Sequence, residues 1–326
     1  MNILRPNTVK EQAVGILRNS RQDYRKTVLL HSAISLGALM IVMILEMLIS
    51  NAMDQTGGLA DMGTRSILGT FKGVLSAGVN LLLPFWEVGI LYTSLRVARN
   101  RDWQTNMLTR GFQRFGPILR FYVAQMLMLF IVAIACSNVA MMLTAWLPVP
   151  AELESAFAQI DLSTVTSYGE LMDLIPMDQM LSYTMPMMIL FAVIYGILLI
   201  HLAYRFRVSQ YLLLDENKIG AFAALALSNR LTKGNKWNLL KLDLSFWWFY
   251  GLQIATVAIA YGPEILSWAG VTLPISAKAA NLLFYALYAV ANIALDWFAG
   301  AYVQTTYACA YEQLNAPDEI YPQIEE

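Results

Sequence analysis

The sequence contains several apolar runs that carry almost no charge, and about 20 apolar residues are enough for a helix to cross the ~30 Å hydrocarbon core of a bilayer. The run from Thr27 to Ser50, for example, has Glu46 as its only Asp, Glu, Lys or Arg residue. A chain in lipid must satisfy its backbone hydrogen bonds internally, which favours helices. The charged fraction of 14% is also low compared with about 25% in soluble domains. We therefore predict an all-α, polytopic membrane protein.

We predict a bundle of about six transmembrane helices within a single membrane domain at residues 27–312. The six spans cover approximately residues 27–50, 67–95, 116–147, 181–213, 239–261 and 279–309. A cytoplasmic amphipathic segment at 1–26 precedes this domain, and an acidic cytoplasmic tail at 313–326 follows it. Spans much longer than about 20 residues must tilt, kink or project beyond the bilayer.

The distribution of basic residues predicts the orientation of the bundle. Of the 22 lysines and arginines, all except Arg65, Lys72 and Lys278 lie before the first span or around the second and fourth connections. Loops rich in lysine and arginine stay in the cytoplasm, so we expect both termini to be cytoplasmic in a multi-pass protein of the cell membrane. Residues 148–180 contain acidic residues but no basic one, and we assign them to an outer acidic loop.

The cytoplasmic segments are expected to contain amphipathic interfacial helices. Segment 219–231 is rich in alanine, which favours a helix, and segment 107–120 mixes apolar with basic residues. A third such helix is expected around residues 9–17, where the apolar positions share one face. Asp215 or Asn217 is expected to cap the start of the 219–231 helix.

Regular polar stripes distinguish the second and sixth spans. Helical spacing places on one face of the second span the residues Lys72, Ser76, Asn80 and Glu87. The sixth span carries a similar stripe, made of Asn281, Tyr285, Tyr288, Asn292 and Asp296. Polar side chains within a membrane are costly unless they face the bundle interior or water, so the stripes predict an interior polar cleft. The residues predicted to form it are Asn80, Glu87, His201, Tyr288, Asn292 and Asp296. The alternative is that these groups only hold helices together.

Individual charged and polar groups within the spans give three further expectations. No basic residue is expected at the depth of Asp296, so its carboxyl group should be desolvated, with Glu87 as the next step of a proton relay. Glu46 and Lys72 fall at similar depths in antiparallel neighbouring spans, which predicts an ion pair between them. His31 is interpreted as an interfacial side chain at the inner end of the first span.

One cytoplasmic turn is a candidate site for lipid headgroups. Its residues are Lys233, Asn235, Lys236 and Lys241. Ammonium groups and backbone amides that converge there could bind an anionic headgroup, with an acid such as Asp243 beside them. The alternative is an ordinary helix stop with positive charge and a tryptophan at the membrane interface.

The 326 residues contain no signature of a soluble enzyme. The sequence has no Gly-rich phosphate loop ending in Gly-Lys-Ser/Thr, no His-Glu-x-x-His and no Gly-x-Ser-x-Gly. It has only two histidines and two cysteines, so we expect no metal centre. We expect no cofactor, and enzymatic activity is the less favoured interpretation. The net charge of −1 gives no basic field that would attract nucleic acid.

The run from Tyr204 through Asp215 to Gly251 resembles a family of bacterial integral membrane proteins catalogued as domain of unknown function 975, and it includes the motif LALSNRLTKGNKWNLLKLDLSFWWF at 225–249. Further similarity lies in KEQAVGIL near the start, TRGFQRF in the second connection and TTYACAYEQL near the end. The chain departs from the family pattern at Ala310-Tyr311, where the family commonly has Phe-Tyr. The resemblance covers nearly the whole chain and implies a polytopic topology, but it brings no established activity.

Two classes of function are compatible with these features. The first is a non-enzymatic membrane protein, transporter-like or membrane-organising, that works through the interior polar cleft. The alternative is an intramembrane enzyme or accessory subunit that acts on lipid headgroups at the cytoplasmic face. In both cases the expected partners are membrane lipids together with a small-molecule, ion or lipid ligand, and not nucleic acid.

Overall fold

The computed structural model describes residues 3–20, 23–55, 62–147, 177–215, 219–271 and 273–316, and these contain helices but no strand. The predicted outer loop at 148–180 lies almost entirely outside the described residues, as does most of the predicted acidic tail. An all-helical chain is what a multi-spanning protein requires, because each helix satisfies its own backbone hydrogen bonds in lipid. The predicted fold class is confirmed.

The helices are numbered here in chain order. They are α1 (Pro6–Asn19), α2 (Tyr24–Gln55), α3 (Met62–Ala98), α4 (Arg110–Gln113), α5 (Phe115–Thr144), α6 (Met177–Arg205), α7 (Ser209–Leu214), α8 (Ala221–Thr232), α9 (Lys236–Leu244), α10 (Trp247–Ala260), α11 (Gly262–Trp268), α12 (Ala277–Leu295) and α13 (Ala301–Asn315). A 3₁₀ turn (Thr105–Thr109) precedes α4, and a π-helical turn (Asp296–Gly300) joins α12 to α13.

Within the described ranges, five segments are long and apolar enough to span a membrane, in agreement with five of the predicted spans. They are Tyr24–Met53, Gly63–Ala98, Phe115–Thr144, Met180–Leu214 and Ala277–Asn315. The predicted fifth span is instead a pair of helices, α9 and α10, bent by 61°. Ser245 lies at the bend, where its hydroxyl donates to the Leu242 carbonyl at 2.6 Å. Such a side-chain bond competes with the helical hydrogen-bond pattern and favours a break.

Contacts divide the chain into two compact units, one made of residues 1–120 with 206–326 and the other of residues 121–205. In the first unit α3 packs against α2 and α13, while α12 packs against α2 and α10. A buried cluster in this unit includes Tyr24, Ile90, Trp103 and Ala301. The second unit contains α6 and most of α5. The predicted single domain at 27–312 stays a prediction.

The predicted N-terminal amphipathic helix is present as α1, and its apolar face packs on protein. Val9 and Ala13 are completely buried, and α1 contacts α13 and α9. The chain before the helix is also held, because the Leu4 amide donates to Asn235 Oδ1 at 2.9 Å and the Arg5 amide donates to Gln313 Oε1 at 3.2 Å. The segment therefore belongs to the first unit.

The connection after α3 differs from the single interfacial helix expected at 107–120. It consists of the 3₁₀ turn and the short helix α4, and two glycines let it cross α3 at backbone contact. A Cβ atom on Gly89 would lie 1.8 Å from the Leu108 carbonyl oxygen, and one on Gly111 would lie 1.8 Å from the Phe85 carbonyl oxygen. Both distances are far inside van der Waals contact, so only glycine fits at either position.

The alanine-rich segment forms helix α8, as predicted, and the helix ends before Gly234, which has a positive φ of 81°. Its N-cap residue is Gly220, without a side-chain hydrogen bond. The expectation that Asp215 caps this helix is wrong, because the Asp215 carboxylate binds Arg99 and Tyr311. Asn217 lies outside the described residues.

Candidate functional site

Three helices of the first unit bring polar side chains together far from the ends of the spans. Ser32 on α2 donates a hydrogen bond to Asp296 Oδ2, at the junction of α12 with the π-helical turn. Glu87 on α3 interacts electrostatically with Asp296. Each of the three lies at least eight residues from the nearest end of its span, or about 12 Å along the helix. We call Ser32, Glu87 and Asp296 the carboxylate site.

The two carboxylates of this site lack a cationic partner in the described part of the chain. No described lysine, arginine or histidine forms an ion pair with Glu87 or Asp296. Glu87 is exposed and Asp296 is half-buried. The described residues also contain no group of three or more His, Cys, Asp or Glu side chains that could hold a metal ion. Two carboxylates in an apolar span are costly when both are ionised, and one bound proton or cation would lower that cost.

The backbone is irregular at the same place. Asp296 begins the π-helical turn, and such single turns within longer helices occur frequently at functional sites. Gly300 closes the turn, and a Cβ atom there would lie 2.9 Å from Asp296 Oδ1 and 3.1 Å from Val28. The glycine therefore provides the space that the Asp296 carboxylate occupies.

The structure brings together some of the residues predicted for the polar cleft. Tyr288 on α12 interacts electrostatically with Asp296. Asn292 donates to Thr256 Oγ1 at 3.0 Å and so links α12 to α10. Asn80 is exposed and donates to the Ser76 carbonyl of its own helix at 2.9 Å. Ser32, which does bind Asp296, was not among the predicted residues.

His201 lies on α6 in the second unit and is exposed. The other histidine, His31, is buried and stacks on Trp86 with ring centroids 5.5 Å apart, so its interpretation as an interfacial side chain is wrong. Trp86 Nε1 donates to the His31 backbone carbonyl at 3.3 Å, whereas Nε2 of His31 is buried without a hydrogen-bond partner in the described residues.

The structure gives partial information on the predicted pair of Glu46 and Lys72. Lys72 Nζ donates to Ser50 Oγ at 3.2 Å. Ser50 lies one helical turn beyond Glu46 on α2, so the lysine of α3 reaches the expected part of α2. The ion pair itself stays a prediction.

The candidate headgroup residues divide into buried and exposed positions. Asn235 is buried and accepts the Leu4 amide, so its side-chain oxygen holds the N-terminal segment. Lys233 and Lys241 are exposed, and Lys241 Nζ lies 5.9 Å from the ring centre of Trp237. Lys236 is half-buried. The three lysines remain candidates for contact with headgroups.

An ion-pair network that the sequence did not predict joins the C-terminal ends of α3 and α13. We call the end of the first unit where Arg99, Asp215 and Glu312 lie the basic end. Arg99 donates to both oxygens of Asp215, each at 2.8 Å, and its Nε donates to Glu312 at 2.9 Å. Tyr311 adds a hydrogen bond to Asp215 at 2.7 Å. Hydrogen bonding to Asp215 raises the pKa of Arg99 against the opposing effect of burial. The network fixes the positions of three chain segments.

A second polar cluster lies at the basic end. Arg207 Nη2 donates to Asp243 Oδ1 at 3.0 Å, and Tyr307 donates to the same oxygen. The Arg207 guanidinium lies 4.5 Å from the ring centre of Tyr307, and the hydroxyls of Tyr307 and Tyr250 are 2.5 Å apart. The only signal for this cluster in the sequence was the position of Asp243 among basic residues.

The fold and these sites define a polytopic helical membrane protein with polar groups inside its spans and ion pairs at one end. The family model described as "Protein of unknown function (DUF975)" matches residues 16–318, and the chain belongs to that family. The resemblance seen in the sequence is thereby confirmed. No curated protein and no solved structure matches the chain.

Proposed function

We propose that this protein is a non-enzymatic, transporter-like membrane protein that binds and releases a proton at Glu87 and Asp296. The observation that carries the proposal is that these two carboxylates come from different helices, lie deep in their spans and are near enough to interact electrostatically. Two like charges that share a site within a membrane favour a state in which one group is protonated. Ionisable groups at such positions commonly mark proton relays.

The surroundings of Asp296 support this proposal. The Ser32 hydroxyl donates to one carboxylate oxygen, while the opposite oxygen lies over Gly300 in the π-helical turn. The π-helical turn could convert to a regular α-helix, and this conversion would move Asp296 relative to Glu87. Protonation of one carboxyl group removes the repulsion between Glu87 and Asp296. Proton binding would therefore favour one of the two backbone conformations over the other.

A proton-flux measurement tests the proposal. The purified protein is reconstituted in liposomes that contain a pH-sensitive dye, and a potassium gradient with valinomycin imposes a membrane potential. We expect proton flux through the wild-type protein, and its loss in Asp296→Asn and Glu87→Gln, since the amides keep hydrogen-bonding capacity but cannot titrate. Glu264→Gln is the matched control, because Glu264 is an exposed carboxylate on α11, outside the site. Wild-type flux in a folded Asp296→Asn variant would contradict the proposal.

The alternative function, action on lipid headgroups by the turn at 233–241, has less support. Of its four predicted residues, Asn235 is buried and bonded to Leu4. A proton role for the carboxylate site is therefore the function that the geometry supports best.

A further inference from the structure

A pocket of about 180 Å³ lies at the basic end of the first unit, where α7, α9 and α13 meet. Its walls combine polar with apolar side chains, among them Arg207, Gln210, Tyr307, Leu91, Leu239 and Ala310. The pocket is separate from the carboxylate site, with which it shares no residue. A charged group beside apolar walls suits a ligand that has a polar head and an apolar body.

The arginine of this pocket is held in a fixed orientation. Asp243 accepts one of its N–H groups at 3.0 Å, and the ring of Tyr307 lies under the guanidinium. Tyr307 is itself fixed by its hydrogen bond to Asp243 and by the Tyr250 hydroxyl. A guanidinium has five N–H donors, so contacts with Asp243 and Tyr250 leave donors for an anion in the pocket.

A second cation lies beside this cluster. Lys10 on α1 donates to the Ser245 carbonyl at 3.5 Å, and its Nζ lies 4.6 Å from the ring centre of Phe246. The Phe246 ring is in turn 6.0 Å from the ring of Tyr307. Among the described residues joined by these contacts, Lys10 and Arg207 carry two positive charges and Asp243 carries one negative charge. One anionic group would neutralise the cluster.

We propose that the pocket binds the phosphate group of an anionic amphiphile such as a phospholipid. Arg207 donates to the phosphate oxygens, because its planar guanidinium matches them well. Leu91, Leu239 and Ala310 contact the apolar part of the ligand next to the headgroup. The basic residues at this end add long-range attraction for an anionic lipid.

Native mass spectrometry of the purified protein in neutral detergent tests this proposal. Phosphatidic acid is titrated into the sample, with phosphatidylcholine as a lipid of no net charge. We expect phosphatidic acid to bind at least about tenfold more tightly than phosphatidylcholine, since hydrogen bonds to charged groups are among the stronger ones. Arg207→Gln removes the donor and Ala310→Leu fills the pocket, so each should weaken phosphatidic acid binding about tenfold or more. Lys26→Gln, at an exposed lysine at the start of α2 and outside the pocket, is the matched control and should bind like the wild type.

Two further measurements complete the test. Asp243→Asn keeps Arg207 but removes its competing carboxylate, so it should bind phosphatidic acid at least as tightly as the wild type. Competition by inorganic phosphate at millimolar concentration would identify free phosphate as the source of the recognised group, and its failure to compete would identify the lipid. If Arg207→Gln does not fold, the affinity of Ala310→Leu for phosphatidic acid decides whether the pocket is the binding site.

The proposal would be overturned if folded Arg207→Gln and Ala310→Leu both kept wild-type affinity, or if phosphatidylcholine bound as tightly as phosphatidic acid. Lys233→Gln alters an exposed lysine of the candidate headgroup turn, and loss of binding in this variant alone would place the site on that turn and would also overturn the proposal. These lipid-binding results do not depend on whether the carboxylate site carries protons.

Discussion

Arg99 and Asp215 form an ion pair with two parallel hydrogen bonds of 2.8 Å, although 116 residues separate them in the sequence. The pair joins the end of α3 to the end of α7, and Glu312 of α13 adds a third contact. The side chains are 18% and 8% exposed, so most of the pair is withdrawn from solvent. The pair and its Glu312 contact thus tie together three segments that are distant in the sequence.

The first prediction concerns the stability that this pair confers. Arg99→Gln should leave Asp215 buried without its cation and lower the free energy of unfolding by about 3 kcal/mol. Thermal unfolding in detergent measures the effect. The double variant Arg99→Met with Asp215→Leu should recover part of the loss, since it removes the buried Asp215 charge together with its cation and leaves only the more exposed Glu312 without its partner. Equal stability of the wild type and Arg99→Gln would show that the pair is dispensable.

The second prediction concerns the dependence of this pair on pH. The hydrogen bonds to Asp215 raise the pKa of Arg99 in the folded protein. A group whose folded pKa is raised contributes stability at all pH values below its unfolded pKa, and this is lost only as pH rises through the folded value. The loss of stability in Arg99→Gln should therefore be the same at pH 7 and at pH 9, since both values lie well below the pKa of arginine in the unfolded chain. A difference that shrinks over this interval would contradict the assignment.

The third prediction concerns the two glycines, Gly89 and Gly111, at which the connection after α3 crosses that helix. Gly89→Ala and Gly111→Ala should each prevent correct packing of the connection, since the added methyl group would overlap a backbone carbonyl. We expect a loss of at least about 3 kcal/mol, at the upper end for overpacking. Gly73→Ala on the same helix is the control, because a Cβ atom there meets nothing within 4 Å. The yield of folded protein and its thermal stability are the measurements, and a stable Gly89→Ala variant would contradict the description.

The fourth prediction concerns the topology. Cysteines introduced at Thr164 and Gln323 should differ in their reaction with an impermeant thiol reagent in intact cells, with labelling only at position 164. The native Cys136 and Cys309 are buried and should give little background. Labelling at position 323 in intact cells would reverse the orientation predicted from the basic residues.

The membrane spans of this protein could be predicted from its sequence. Hydropathy averaged over roughly 20–30 residues, the length of one span, reflects the membrane environment directly. The bend between α9 and α10 could not, since residues 239–261 are apolar enough for one straight helix and the break depends on side-chain bonding near Ser245. The helical stop at Gly234 was visible because a lysine-glycine pair is a local signal.

Pairings between distant residues were the part that the sequence did not reveal. Asp215 was expected to cap a helix, as acids near helix starts commonly do, but its partner Arg99 comes from another connection. Ser32 could not be selected from the sequence, because a serine in an apolar helix often bonds only its own backbone. Asp296, by contrast, could be selected as a candidate, since a carboxylate in the middle of a span has few structural explanations.

The most direct test of the central claim is an infrared measurement of carboxyl protonation at neutral pH. The account predicts an absorption band of a protonated carboxyl group in the wild-type protein and in Glu264→Gln, shifted by exchange into deuterated water. The band should be lost or displaced in Asp296→Asn and in Glu87→Gln, because the two groups share the proton. A spectrum that is identical in all four proteins would contradict a proton-binding pair at Glu87 and Asp296.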